Sequence, residues 1–436
     1  MYPAEKRAAS IGRGQAEKST DYQTLQPLTF DAAMTSPDPS TYFRKGFGLK
    51  AEVQDELAAD YAGGLVDRMK AEDYVLSVGD VTIRLAKEFG FCYGVERAVE
   101  YAYQTRRKFP GKRIRLVGEI IHNPHVNARL REMGIEILMP RDGRFDFAGI
   151  TPDDVVILPA FGVTIHDFEA LRTIGAVLVD TTCGSVLNVW KRVDSYARDG
   201  FTALIHGKHY HEETRATASQ AAKHGGHYLV VRDMGEAQVV MDYIEGRLAA
   251  DVLMEKLGHA ASPGFDPEVH LRRVGVANQT TMLATESLAI GEAVGDAIGR
   301  ARGAQARETD FRTFDTICSA TQERQDAVKE LLEQHIDAMV VIGGFNSSNT
   351  ISLAALCAEQ VPTYHVESPD AIDPDTQTIH YRLAGKHHHE ADQRDWLPDG
   401  AVTLGITAGA STPNSKIGEA VVRILATRGL ALPELV

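Results

Sequence analysis

Hydrophobic and polar positions alternate between two patterns from about residue 81 onward. Short runs rich in β-branched residues are separated by longer stretches whose apolar residues recur every three to four positions. Strands are predicted at ten runs: VTIRLA, IRLVG, VVILPA, AVLVDT, FTALIHG, HYLVV, VGVA, MVVIGG, PTYHV and VTLGIT. Apolar runs that alternate with amphipathic helices are typical of parallel sheets covered by helices, so the sequence predicts an α/β fold.

Three of the four cysteines occupy equivalent points of a strand, turn and helix unit. Cys92, Cys183 and Cys318 each follow a run of strand type, the last of them poorer than the others, and each precedes an apolar stripe of helical period. The spacing predicts a thiol at each helix N-terminus, where the helix dipole favours the metal-binding thiolate. Cys357 lies inside the helical pattern ISLAALCAEQ, which predicts a buried core thiol.

The weak repeat and the length of 436 residues, at roughly 150 per domain, predict three lobes. They are 79–183, 184–314 and 315–436, although the strand within 79–92 is also compatible with the third lobe. Residues 1–78 show little strand pattern and are interpreted as an N-terminal extension, partly disordered or helical. Within it, residues 1–27 read as a flexible tail, and Ala51–Lys70 predicts helix interrupted at Gly63 and Gly64.

Composition excludes several classes of protein. The chain carries 46 Lys and Arg against 60 Asp and Glu, a net charge of −14, which disfavours a nucleic-acid binder. No apolar stretch is long enough to span a bilayer and no signal core is evident, so a cytoplasmic protein is expected. Four widely spaced cysteines do not suggest a disulfide framework.

Three convergent cysteines allow several interpretations. Any one of these cysteines, taken alone, would be interpreted as a buried core thiol. A structural zinc site is usually formed by close Cys-x-x-Cys pairs, and the sequence contains none. Because iron–sulfur clusters normally take four thiolates, three would leave one iron of a [4Fe–4S] cluster open to substrate.

Polar residues that follow the other predicted strands suit an anionic substrate. Hydroxyls, amides and backbone N–H groups at a helix start can bind phosphate, although the NSSN segment alone would be read as a helix cap. A carboxyl group beside a histidine could donate a proton. The residues after these strands are His122, Asn123, Pro124 and His125; His209, His211, Glu212 and Glu213; Asn278, Gln279, Thr280 and Thr281; Phe345, Asn346, Ser347, Ser348 and Asn349; and Ala408, Gly409, Ala410 and Ser411.

Nine ordered blocks together resemble the 4-hydroxy-3-methylbut-2-enyl diphosphate reductase family, which performs the last step of the methylerythritol phosphate route to isoprenoids. The RKGFG segment at 44–48 and the long N-terminal region resemble its plant and cyanobacterial branch. The blocks are GFCYGVERAVE, GEIIHNPHVNARL, VVILPAFG, DTTCGSVLNVW, HGKHYHEETRATAS, VANQTTML, FDTICSATQERQDA, GGFNSSNT and ITAGASTP.

The resemblance implies a three-lobed α/β fold around a central [4Fe–4S] cluster. Cys92, Cys183 and Cys318 would hold it and leave one iron open, Thr280 would contact the hydroxyl end of the substrate, and Glu213 would relay a proton. The implied reaction is reductive dehydroxylation to isopentenyl and dimethylallyl diphosphate, with ferredoxin or flavodoxin as electron donor. The implied diphosphate ligands are His122, His211, Ser347, Ser348, Asn349 and Ser411.

The chain departs from the common family pattern at two points. Ala160, Phe161 and Gly162 replace a block with a diphosphate-binding histidine, which leaves one contact unfilled, and Gly184 replaces a proline-containing form after the second cysteine. Two rival functions stay open, a non-catalytic iron–sulfur sensor and a module that binds a phosphorylated ligand. Association between copies of the chain is also left open.

Two charged segments carry weaker predictions. His387, His388 and His389 are read as a polar loop. Six basic residues form a candidate docking surface for an acidic ferredoxin. They are Arg106, Arg107, Lys108, Lys112, Arg113 and Arg115.

Overall fold

The computed structural model describes residues 41–384 and 389–432, so the tail predicted at 1–27 and two of the three adjacent histidines lie outside the described residues. The strands are β1 (Tyr42–Phe43), β2 (Val75–Val78), β3 (Val81–Leu85), β4 (Ile114–Val117), β5 (Ile135–Leu138), β6 (Val155–Leu158), β7 (Val177–Asp180), β8 (Thr202–His206), β9 (Tyr228–Val231), β10 (Val274–Asn278), β11 (Phe311–Thr313), β12 (Ala338–Ile342), β13 (Thr363–Val366), β14 (Ile372–Asp373), β15 (Thr378–Arg382), β16 (Glu390–Arg394) and β17 (Val402–Ala408).

Helices follow most of the strands. They are α1 (Lys50–Tyr61), α2 (Gly64–Ala71), α3 (Tyr93–Lys108), α4 (Pro124–Glu132), α5 (Ile165–Ile174), α6 (Gly184–Arg198), α7 (Glu212–Ala222), α8 (Met234–Ile244), α9 (Ala250–Leu257), α10 (Pro267–His270), α11 (Ala284–Arg302), α12 (Ala304–Asp310), α13 (Ser319–Leu332), α14 (Ser348–Ala358) and α15 (Asn414–Thr427). Two short 3₁₀ helices occupy Gly258–Ala260 and Pro369–Ala371. In the described part of the chain, no helix combines the length and apolarity needed to cross a membrane.

The strands form three sheets, each the centre of one lobe. The first has the order β1-β7-β6-β4-β5 and the second β11-β10-β8-β9, and all their pairings are parallel. The third has the order β14-β15-β13-β12-β17-β3-β2, with β16 beside β15, and is parallel from β13 to β3. The predicted three-lobed α/β fold is therefore confirmed.

Burial explains why the central strands read as continuous apolar runs. Every residue of β4, β6, β8, β10 and β12 is buried. A parallel strand covered by helices on both faces loses the alternation of apolar and polar positions seen in half-exposed strands. All ten runs predicted as strands are strands in the structure.

The strands that pattern did not predict lie mostly at sheet edges. β1, β2, β5 and β14 to β16 are short or partly exposed, so their sequences lack a strong apolar signal. β3 pairs with β17 in the third sheet, so this strand belongs to the third lobe although β4 to β7 of the first lobe follow it in the chain.

The N-terminal segment is integrated into the lobes. The predicted interrupted helix is confirmed as α1 and α2. β1 adds to the first sheet, where Tyr42 Oη donates to Asp180 Oδ2 over 2.6 Å and Arg44 forms an ion pair with the same carboxylate at 3.4 Å. Asp180 Oδ1 in turn accepts from the backbone N–H of Thr182, next to Cys183. Residues 41–49 therefore brace the loop that carries the second cysteine.

Candidate functional site

Each of the three repeated cysteines caps a helix, as predicted. Cys92, Cys183 and Cys318 are the N-cap residues of α3, α6 and α13, after β3, β7 and β11. Cys183 retains this position although Gly184 follows it. The backbone N–H of each cysteine donates to the loop after the neighbouring strand. In that order, the acceptors are the carbonyl oxygens of Ala410 (3.2 Å), Ala160 (2.9 Å) and Thr280 (3.3 Å).

The three thiols meet where the lobes join. A Cβ atom placed on Gly94 would lie 2.5 Å from Cys183 Sγ and 3.9 Å from Cys92 Sγ, so this position has no room for a side chain. The charges of Cys92 and Cys183 also act on Cys318. Cys357 is elsewhere, fully buried in α14 within the apolar core of the third lobe, as predicted.

Burial disfavours the charged form of two of these thiols. It raises the pKa of Cys318 to about 12, a shift that hydrogen bonds from Thr321 reduce and the other two cysteines increase. Burial likewise raises the pKa of Cys92, although the charge of Arg324 lowers it. Three neighbouring, half-buried thiolates would therefore be stabilised by a bound metal, which supplies the compensating positive charge.

An arginine from each cysteine-bearing helix reaches the loop of another cysteine, and the three contacts form a closed ring. The contacts are Arg97 Nη2 to Thr182 O (2.5 Å), Arg192 Cζ over the Phe314 ring (4.0 Å) and Arg324 Nη2 to Gly90 O (2.6 Å). Arg324 is 3% exposed and forms no ion pair with a carboxylate of the described residues. Its guanidinium donates to carbonyl oxygens, and its charge acts on the thiol of Cys92.

We expect Arg324→Met to lower the free energy of unfolding by roughly 2–4 kcal/mol, because it removes charge-assisted hydrogen bonds to buried carbonyl oxygens. Any cluster bound at the cysteines should also bleach faster in air. Urea denaturation and the decay of visible absorption measure the two effects. Arg307→Met removes an exposed ion-paired arginine and should change the stability little. Equal losses in the two variants would contradict the role given to Arg324.

Two histidines connect the first and second lobes. His211 Nδ1 accepts from the backbone N–H of Glu213 at 3.2 Å, which places the proton of the neutral ring on Nε2. That proton can be donated to His122 Nε2 at 3.2 Å, and His122 Nδ1 then donates to Glu119 at 2.9 Å. Ligand atoms of His122, His211 and Glu212 lie within 4.8 Å of one another and could hold a metal ion, but the hydrogen bonds already use the ring nitrogens.

The polar loop before α14 lies against this histidine pair. A Cβ atom on Gly344 would lie 2.4 Å from the carbonyl oxygen of His122, so only glycine permits this approach. Ser347 caps α14 by accepting from the backbone N–H of Thr350 at 3.3 Å. Ser411 donates to the same His122 carbonyl at 3.2 Å. The candidate ligands of the first and third lobes are thus in contact.

Two further side chains of this loop connect to its neighbours. Ser348 Oγ accepts from Gln279 Nε2 at 3.0 Å, and Asn349 Oδ1 accepts from the backbone N–H of Ala410 at 2.9 Å. Asn349 Nδ2 is buried and has no acceptor among the described residues. A buried donor without an acceptor costs free energy, so this amide is suited to an anionic ligand.

Glu213 and Thr280 form a buried pair between the histidines and Cys318. The Glu213 carboxyl accepts from the backbone N–H of Thr280 at 2.6 Å and from its hydroxyl at 3.1 Å. Burial raises the pKa of Glu213 to about 7, whereas the Thr280 bonds and the charge of His122 lower it. A carboxyl with this pKa exists in both protonation states near neutral pH and can transfer a proton.

Phe161 forms a wall of the site. Its ring stacks on His122, with centroids 4.3 Å apart and planes at 23°, and meets His211 edge-on at 5.6 Å. The position that carries a histidine in many family members is therefore close to the candidate diphosphate ligands, but it supplies no hydrogen bond.

The predicted basic docking surface is largely neutralised. Arg107 pairs with Glu56, Arg113 with Asp154 and Arg115 with Glu136. Arg106 donates to backbone carbonyl oxygens of its own turn. Three of the six, Arg106, Lys108 and Lys112, form no ion pair within the described ranges. The sequence could not show this, because the acidic partners are distant along the chain.

Sequence reasoning missed several residues that organise the site. Gln279 joins the second and third lobes, Glu119 orients His122, and Arg97 and Arg324 hold cysteine loops. Gln279 was visible as a polar residue directly after an apolar strand. The arginines gave no signal, because a charged residue on an amphipathic helix is normally solvated.

The fold and the site define a class of three-lobed α/β proteins with one cysteine per lobe at a shared centre. Such a centre is typical of a metal-cluster protein rather than of a disulfide-bonded one.

The chain belongs to the LytB protein family, whose model matches residues 83–425. It is 46% identical over 391 residues to the 4-hydroxy-3-methylbut-2-enyl diphosphate reductase of Thermosynechococcus vestitus, a match that covers 89% of this chain and 96% of the relative. The enzyme of the same name from Gloeobacter violaceus is also 46% identical, over 89% of this chain and 93% of its own length. These relatives agree with the expected cyanobacterial resemblance.

A solved reductase structure from Plasmodium falciparum has a similar fold. It is described as an E-1-hydroxy-2-methyl-but-2-enyl-4-diphosphate reductase and aligns with a TM-score of 0.58 at 20% sequence identity. The alignment covers 79% of this chain and 87% of that one.

Proposed function

We propose that this chain is an iron–sulfur oxidoreductase that reductively dehydroxylates 4-hydroxy-3-methylbut-2-enyl diphosphate to isopentenyl and dimethylallyl diphosphate. The observation that carries the proposal is the meeting of Cys92, Cys183 and Cys318, one from each lobe, beside a pocket of anion-binding groups. The relatives that bear this enzyme name over nearly their full length support it.

The cysteine centre fits a cluster better than a single ion. Zinc bound by thiolates at 2.3 Å in a tetrahedron would need sulfur atoms about 3.8 Å apart. Among the described residues, ligand atoms of His122, His211 and Glu212 all lie within 4.8 Å of one another. The sulfur atoms of the three cysteines do not. The buried cation of Arg324 beside the centre suits an anionic assembly.

When bound by these three cysteines, a [4Fe–4S] cluster supplies single electrons and one iron without a thiolate ligand, which can act as a Lewis acid toward the substrate hydroxyl. The protein holds the rest of the substrate. We infer that the diphosphate lies among side chains at the starts of several helices, where backbone dipoles favour negative charge. These are His122, His211, Ser347, Ser348, Asn349 and Ser411.

Glu213 and Thr280 supply the proton transfer. The overall reaction takes two electrons and two protons, breaks the carbon–oxygen bond, and releases water. Thr280 stands between the Glu213 carboxyl and the backbone of Cys318, so its hydroxyl can contact the substrate hydroxyl and receive a proton from Glu213. Because Glu213 is buried, bulk water does not contact its carboxyl group, and proton transfer proceeds through Thr280. A ferredoxin or flavodoxin is the proposed electron donor.

Anaerobic purification tests the proposal against its two rivals. We expect a brown protein with about four iron and four sulfide per chain, and turnover of the allylic diphosphate alcohol with a one-electron donor. A colourless protein that still binds the diphosphate would indicate a phosphorylated-ligand module. A coloured protein without turnover would indicate a sensor.

A further inference from the structure

Lys208 is a buried cation that the proposed reaction does not use. It lies in the loop between β8 and α7 and is 8% exposed. Among the described residues, no carboxylate lies within ion-pairing distance of its Nζ atom. A largely buried lysine without an anionic partner costs free energy in the free protein, so its position suits a compensating anionic ligand.

The backbone of Lys208 is tied directly to two candidate diphosphate ligands. Its carbonyl accepts from the backbone N–H of His211 at 2.9 Å. Its own N–H donates to Gln279 Oε1 at 3.1 Å, and Gln279 Nε2 donates to Ser348 Oγ at 3.0 Å. Lys208 therefore stands between the histidine pair and the polar loop of the third lobe.

A second cation faces the same place. The charge of Arg382 acts on Lys208, and Lys208 in turn acts on His211. Arg382 is partly engaged, since Nη1 donates to Phe345 O at 2.7 Å and Nη2 to Glu390 at 3.0 Å. Its Nε is buried without an acceptor in the described part of the chain. Lys208 and Arg382 thus carry like charges that repel each other, and Arg382 Nε has a hydrogen to donate. An anion bound between or beside them would reduce this repulsion and accept that hydrogen bond.

His211 does not supply this charge. Burial, followed by the charges of His122 and Lys208, holds the pKa of His211 well below its usual range. Burial lowers the pKa of Lys208 to about 8, which still leaves it mostly protonated at neutral pH. Phe161 contributes no charge at all. Lys208 is thus a mostly protonated cation beside a neutral His211 and an uncharged Phe161.

We propose that Lys208 binds the diphosphate of the substrate and supplies the positive charge that the Phe161 position lacks. This inference rests on the proposed function. It assigns Lys208 a binding role rather than a catalytic one, because the diphosphate is remote from the hydroxyl that reacts.

Titration of the anaerobically purified protein with inorganic diphosphate tests the assignment. We expect Lys208→Met to raise the Kd roughly 10- to 100-fold, the effect of losing one charge-assisted contact, and Lys208→Arg to recover part of it. The KM for the substrate should rise by a similar factor with a smaller change in kcat. Lys256→Met makes the same change of net charge at an exposed position of α9 and should stay within about twofold of the parent protein.

Thermal unfolding without ligand separates binding from structure. Lys208→Met should unfold at the same temperature as the parent protein or higher, because it removes an uncompensated buried charge. A Kd close to that of Lys256→Met, or an unfolding temperature clearly below the parent's, would overturn the role of Lys208. Failure of the parent protein itself to bind diphosphate would instead overturn the proposed function.

Discussion

Glu213→Gln is expected to keep the cluster absorption and the affinity for substrate but to lose turnover by roughly 10²- to 10⁴-fold, the usual contribution of a positioned proton donor. The amide preserves the shape of the carboxyl and can still accept from the backbone N–H of Thr280, so the fold should survive. Steady-state rates with a one-electron donor, together with visible spectra of the same samples, measure both quantities.

The pH dependence provides a second test of Glu213. Its pKa of about 7 means that the proton-donating form predominates below this pH and is lost above it. The rate of the parent protein should therefore fall as the pH rises through about 7, and this limb should be absent in Glu213→Gln. Glu255→Gln, at an exposed carboxylate of α9, should retain the parent's rate and profile. A near-normal rate for Glu213→Gln would remove Glu213 from the proton-donor role.

Cys183→Ser is expected to abolish turnover by removing most of the iron and sulfide. A serine hydroxyl has a high pKa and is a harder ligand than the thiolate that iron–sulfur clusters require. Cys92→Ser and Cys318→Ser should behave alike, since all three residues cap helices at one centre. Metal analysis and visible absorption after anaerobic purification give the result.

Cys357→Ser is the matched control, because it makes the same chemical change far from that centre. Its thiol is fully buried in an apolar core, so the hydroxyl should cost about 1–3 kcal/mol of stability and leave the spectrum unchanged. If Cys357→Ser lost as much iron as Cys183→Ser, the division of the four cysteines would be wrong.

The sequence predicted the lobes and the three helix-capping cysteines because both depend on local patterns. A central strand such as β12 is a continuous apolar run, and Cys183 stands at the boundary between such a run and a helical stripe. These signals are contained within a dozen residues, so they need no knowledge of tertiary contacts.

The remaining features depend on residues brought together by folding. β1 pairs with β7 across more than one hundred residues, and Arg324 contacts Gly90 across 234 residues. Arg113 pairs with Asp154, 41 residues further along the chain. Lys208 lies in the block HGKHYHEETRATAS, but the sequence does not show that this lysine is buried. Only the tertiary structure reveals that no carboxylate of the described residues pairs with it. The diphosphate ligands themselves came from family resemblance and stay a prediction.

The pairing of β3 with β17 has a consequence for biosynthesis. β3 leads into Cys92, yet its neighbour in the sheet is the final strand of the chain, and Cys92 donates its N–H to Ala410 just beyond that strand. Cys92 leaves the ribosome early, whereas β17 and Ala410, which fix its position, are synthesised more than three hundred residues later. We infer that iron and sulfide enter only after translation is complete, so a prematurely terminated chain cannot retain them.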